Sequence, residues 1–119
     1  MNIRKSENLQ LIKALNSAKL IGENKESYLS VRVYSLDNGS ISAGFDTSEV
    51  SHNLIIAVSG FDENPDQNAF EIGPFINPKF VQWNELQKYK KGFEIEYGIF
   101  EKRERLRLEI SLKELKIIK

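Results

Sequence analysis

The chain has 119 residues, 40% hydrophobic and 29% charged, a balance that excludes wholesale disorder and suits one domain with its own core. It has no cysteine, which removes disulfides, thiolate catalysis and cysteine metal sites and fits a reducing compartment. The formal charge is zero, and no apolar run approaches the ~20 residues that cross a bilayer as a helix.

The N-terminus, Met-Asn-Ile-Arg-Lys-Ser-Glu, lacks the apolar core of a secretory signal, so a cytoplasmic location is expected. Leu11, Ile12, Leu15 and Ala18 then recur on one stripe of a helix, with Gln10, Lys13 and Ser17 facing away. Ser6 is the expected N-cap and Gly22 the expected left-handed C-cap. Residues 28–35 and 40–47 predict a hairpin around Asp37-Asn38-Gly39. A bulged three-residue loop pairs Val33 with Ala43 and Val31 with Phe45, which gathers the apolar side chains on one face.

Leu54-Ile55-Ile56-Ala57-Val58 is apolar without alternation, the pattern of a central strand covered on both faces. A loop from Asp62 to Asn68 leads to a strand over 69–75, which Gly73-Pro74 marks as an edge or bent strand. Asn77-Pro78 reads as an N-cap followed by proline at the first helical position. The helix it opens would turn Phe80, Trp83, Leu86 and Tyr89 inward, carry Lys88, Lys90 and Lys91 in its last turn, and stop at Gly92.

The last third alternates most clearly. Phe93, Ile95, Tyr97 and Ile99 share one face, and Leu106, Leu108, Ile110 and Leu112 share another. Pairing Ile99 with Leu106, Tyr97 with Leu108, Ile95 with Ile110 and Phe93 with Leu112 predicts a hairpin with one buried side. After Leu112 the phase changes, so the strand is expected to bulge or to end near Lys113-Glu114. The expected fold is a single α+β domain over 1–119, in the order α-β-β-β-β-α-β-β. A largely antiparallel sheet of about six strands would carry both helices on one face.

Catalytic residue types are sparse. His52 is the single histidine, and Ser48, Ser51, Asp46 and Glu49 crowd around it in sequence. A triad needs spatial geometry that one polar loop rarely supplies, so an ordinary loop or strand-entry role is preferred. Asp62, Asn64, Asp66 and Asn68 alternate oxygen ligands, but Gln67 and Gly73 stand where a calcium loop needs glycine and glutamate. A solvated acidic turn is the simpler reading. Phe80, Trp83 and Tyr89 at helical spacing read as core rather than as interface anchors. Arg105, Arg107, Lys102 and Arg103 make the final hairpin basic, yet Glu94, Glu96, Glu101, Glu104 and Glu109 interleave with them. No cofactor and no metal is implied.

Charge distribution points further than any motif. Residues 1–22 carry four basic side chains and one acidic, residues 23–87 three basic and ten acidic, and residues 88–119 ten basic and six acidic. Such segregation bears on association rather than on fold. Neutralisation between neighbouring segments is the bland explanation; an acidic face aimed at a basic protein is the sharper one. The expected function is a small non-enzymatic binding domain, inhibitor-, immunity- or escort-like, with Asp46, Glu49, Asp62, Glu63 and Asp66 as partner-binding residues. A small enzyme working through carboxylates is the second expectation, and nucleic-acid binding through the basic C-terminal hairpin the third.

Overall fold

The computed structural model describes residues 1–26, 28–39, 50–62, 65–99 and 101–118. Among them are one helix, α1 (Leu9–Ser17), and the strands β1 (Ala18–Asn24), β2 (Ser30–Asp37), β3 (Ser51–Ser59), β4 (Gln67–Ile76), β5 (Lys79–Leu86), β6 (Lys91–Tyr97), β7 (Glu104–Ile110) and β8 (Leu115–Ile118). The strands form two antiparallel four-stranded meanders, β1-β2-β3-β4 and β5-β6-β7-β8. Their buried residues make one hydrophobic cluster, so the architecture is a two-sheet β-sandwich. This overturns the expected α+β fold of about six strands with two helices on one face.

The core follows from alternation on both sheets. Val31 and Val33 of β2, Leu54, Ile56 and Val58 of β3, Phe93 and Ile95 of β6, and Leu108 and Ile110 of β7 are each no more than 2% exposed. Burial of one such side chain contributes about 1.5–3 kcal/mol, which fixes which face of each strand turns inward. β3 is an internal strand, as its apolar run predicts, but it is not covered on both faces: Leu54, Ile56 and Val58 are buried, whereas Ile55 and Ala57 on the other side are only half-buried. β2 lies between β1 and β3, so Val33 pairs with Gly22 and Ile56, and Val31 with Asn24 and Val58. The predicted partners Ala43 and Phe45 lie outside the described residues.

The two helix expectations fail differently. The first helix forms but is short: Asn8, not Ser6, caps it through Oδ1, which accepts from the Leu11 N–H at 3.1 Å. At Ala18 the chain becomes extended, and Leu20-Ile21, read as the last helical turn, joins β1 beside β2. Gly22 is therefore a strand residue and not a C-cap. The predicted second helix is β5 and a turn. Asn77, at φ +48°, turns the chain with Pro78 from β4 into β5, a conformation asparagine tolerates better than most residues. β5 then carries irregularities between Phe80 and Gln82 and between Trp83 and Leu86. Each adds one residue to β5: residues 80–82 span two residues of β6, and residues 83–86 span three, so Phe80 and Trp83 both reach the core cluster.

In the final hairpin the buried face is the expected one and the register is not. Phe93 pairs with Leu108, Ile95 with Leu106 and Tyr97 with Glu104. An even shift leaves every side chain on its own face, so burial alone does not select between the two registers. The loop selects. Gly98, at φ +118°, donates its N–H to the Ile76 oxygen at 2.8 Å. Arg103 donates through Nη1 to the Asn77 and Gly98 oxygens and through Nη2 to the Glu96 oxygen. The strand ends at Ile110, and a turn over 111–114, with the Ser111 N–H donating to the Glu114 oxygen at 3.0 Å, leads to β8.

Candidate functional site

The turn between β3 and β4 presents an aromatic ring among carboxylates. The Gly60 N–H donates to the Asp66 oxygen at 3.1 Å and closes the turn. Phe61 is 52% exposed, and Asp62 and Asp66 are both exposed. Neither aspartate has an ion-pair partner among the described residues. Glu63, Asp46 and Glu49 lie outside the described residues. Asp62 and Asp66 follow β3 in the chain, whereas Asp46 and Glu49 precede it, so the five candidates belong to two separate connections. Asn68, the last of the alternating oxygen ligands, turns its amide away to donate to the Leu112 oxygen at 2.6 Å.

At the opposite end of β3 stands His52, half-buried, opposite Asp37 on β2 and Phe75 on β4. Its Nδ1 is buried without a hydrogen-bond partner among the described residues. The neighbouring polar groups bond to one another instead. The Asn38 amide donates to the Ser51 hydroxyl at 3.1 Å and to Asn53 Oδ1 at 3.0 Å, and the Asn53 amide donates to Glu71 Oε1. No described group of three or more histidine, aspartate or glutamate residues is placed to share a metal ion.

Two further constellations come from sheet geometry. On the outer face of the second sheet, the Glu94 carboxylate is 4% exposed. It accepts from Arg107 Nε at 2.8 Å, with Arg105 Nη1 at 3.6 Å. Beside it is an open hollow of about 380 Å³, lined by Gln82, Asn84, Gly92, Arg107 and Ile118 among others. The buried carboxylate holds back part of the positive charge that a phosphate-binding hairpin would offer. At the end where the β1–β2 and β5–β6 turns meet, Tyr28 and Tyr89 are 54% and 60% exposed, with ring centroids 5.9 Å apart. The Lys88 ammonium lies 4.3 Å from the Tyr28 centroid, within cation–π range.

That turn is anchored by Lys91, which is fully buried. Its Nζ donates to Asn24 Oδ1 at 2.5 Å, the Glu26 oxygen at 2.7 Å and the Leu29 oxygen at 2.5 Å, with the Asn24 oxygen at 3.4 Å. Burial pushes the ammonium below the usual lysine range, and the nearby Glu26 carboxylate partly offsets the shift. Of the predicted aromatic set, Phe80 and Trp83 pack with Phe93 at centroid distances of 5.9 and 5.6 Å, as core. Tyr89 departs from them and faces solvent. Sequence reasoning missed Phe61 and Tyr28. The signal for Phe61 was present, a lone aromatic between Gly60 and the acidic run; Tyr28 had none, because its neighbour arrives from another turn.

Comparison with known protein families, curated proteins and solved structures gave no match to this chain. No helix among the described residues is long and apolar enough to cross a membrane.

Proposed function

We propose that this domain is a non-catalytic binding protein that engages a basic surface of another protein, inhibiting or escorting it. One observation carries this reading: Phe61 stands exposed between Gly60 and two exposed aspartates, Asp62 and Asp66, that make no ion pair with any described residue. An aromatic ring offers contact area at low entropic cost, and unpaired carboxylates around it attract and orient a cationic partner. Exposed charges act over ~8 Å at physiological ionic strength, so the association rate should fall with salt. The test is capture of partners from native lysate, followed by association kinetics with the purified partner. A stoichiometric basic protein is expected, whose on-rate drops at least tenfold for Phe61→Ala combined with Asp62→Lys and Asp66→Lys. A partner whose on-rate ignores both salt and these substitutions would remove the β3–β4 turn as the binding face.

A further inference from the structure

We infer that the hollow over Gly92, on the outer face of the second sheet, binds a neutral polyhydroxyl ligand, a pyranose unit of a saccharide. The site shares no residue with the β3–β4 turn, so this inference and the basic-partner reading can fail separately.

The hollow lies between β5 and β7, with β6 as its floor. Its volume of about 380 Å³ falls at the lower end of the range of small-molecule sites. Gly92 pairs with Glu109 in an internal strand, where glycine weakens a sheet and often marks a close approach. Neither backbone conformation nor packing requires a glycine there. Its φ is not left-handed, and an added Cβ would meet nothing nearer than the Glu85 nitrogen at 3.5 Å. The missing side chain leaves the hollow open.

A carboxylate beneath the surface orders the walls. Glu94, 4% exposed, accepts from Arg107 Nε at 2.8 Å and from Gln82 Nε2 at 3.5 Å. Gln82 Nε2 also donates to Asn84 Oδ1 at 2.9 Å. One buried carboxylate therefore orients, directly or through Gln82, three side chains that line the hollow. Such support from below is what holds a binding site in shape. Each of the three keeps an open group. The Gln82 oxygen, the Asn84 amide N–H and the Arg107 Nη donors make no hydrogen bond among the described residues.

Charge and hydrogen-bonding capacity select the ligand. Around the hollow Arg105, Arg107 and Lys90 stand against Glu85, Glu94 and Glu109. Neither an anion nor a cation finds a surplus of opposite charge. The open groups mix donors with acceptors, and a hydroxyl is both. Ile118, 39% exposed, also lines the hollow and offers an apolar patch to the C–H groups of a ring. Hydroxyls around a ring with an apolar face are the chemistry of a saccharide.

Trp83, the single tryptophan, lines the hollow, so its fluorescence reads occupation, and amide NMR shifts at Gly92 and Asn84 place it. Glucose, galactose, mannose, N-acetylglucosamine, maltose and cellobiose are titrated to about 100 mM, beyond the millimolar affinity of a shallow site. At least one should saturate both signals. Gly92→Val should abolish the response without lowering the thermal melt, because valine suits a strand better than glycine. Asn84→Ala, at an exposed position, should weaken binding about fivefold, the loss of one hydrogen bond. The absence of a saturable response to every sugar would overturn the inference. So would a response that survives Gly92→Val, or, should that variant not fold, one undiminished in Asn84→Ala. Saturation by sodium phosphate or by glycine in place of a sugar would overturn it too, by marking a site for an ion or a zwitterion.

Discussion

At Gly22 a hydrogen stands where any other residue would place a carbon 2.7 Å from Cδ2 of Phe80. The ring is fixed between Trp83 and Phe93, so it has little room to give. Gly22→Ala should destabilise the fold by about 1–3 kcal/mol, as overpacking does, measured as a lower denaturant midpoint with an unchanged slope. An alanine variant as stable as the parent would mean that the two sheets do not meet there. The glycine was visible in the sequence, but as a helix terminator, because its contact lies 58 residues away in another sheet. Lys91 has the same history. It reads as a helix-ending cation until the fold brings four oxygens of the β1–β2 turn to its ammonium. Lys91→Met keeps the volume and strands those oxygens, so a loss of about 2–4 kcal/mol is expected, since buried acceptors without donors are costly. The Tyr28–Tyr89 contact should loosen with it, seen as altered tyrosine fluorescence in the folded variant.

β5 explains why a strand passed for a helix. Phe80, Trp83 and Leu86 repeat every three residues, close enough to a helical period to suggest one. Two successive bulges produce the same repeat in an extended chain, because each inserts a residue between inward positions. Local periodicity cannot separate these cases. What would separate them is that the stripe drifts around a helix instead of holding one face. The final hairpin was legible to the level of its face and no further, for Arg103 sets the register through oxygens that sequence spacing does not reveal. Arg103 Nε also donates to Glu96 Oε1 at 2.9 Å, and that bond holds the Glu96 carboxyl below its ordinary value of 4.5. A carboxyl lowered on folding contributes stability that is fully present above the unfolded value and is lost as pH falls through the folded one. Glu96→Gln should therefore lose less stability than the parent between pH 7 and pH 3 in denaturant melts. Equal losses would mean that the pair does not act in the folded state.

On the scale of the molecule, the charge segregation becomes a difference between sheets. Residues 18–76, which contain the first sheet, carry three basic and nine acidic side chains, and residues 77–119, which contain the second, carry eleven basic and seven acidic. Oppositely charged sheets packed face to face invite the view that each neutralises the other. The ion pairs among the described residues argue against direct neutralisation. Lys25–Glu23 and Arg32–Glu23 lie within the first sheet; Lys90–Glu109, Arg103–Glu96, Arg105–Glu94, Arg107–Glu94 and Lys116–Glu114 lie within the second. The sheets are joined by apolar packing, the Asn68 amide and the Lys91 anchor; of the surplus carboxylates only Glu26 acts there, on the Lys91 ammonium. The triple reversal Asp62→Lys, Glu63→Lys and Asp66→Lys separates the accounts without any partner in hand. If these carboxylates serve recognition, exposed substitutions away from packing features should change stability by no more than about 0.5 kcal/mol each. That small change should persist in high salt, because there is no internal attraction to screen. If they balance the basic sheet, reversal should cost well over 1 kcal/mol at low ionic strength, and added salt should restore most of it. Thermal melts of the parent and triple variant at two salt concentrations decide the matter, and a salt-rescued loss would withdraw the acidic turn from recognition.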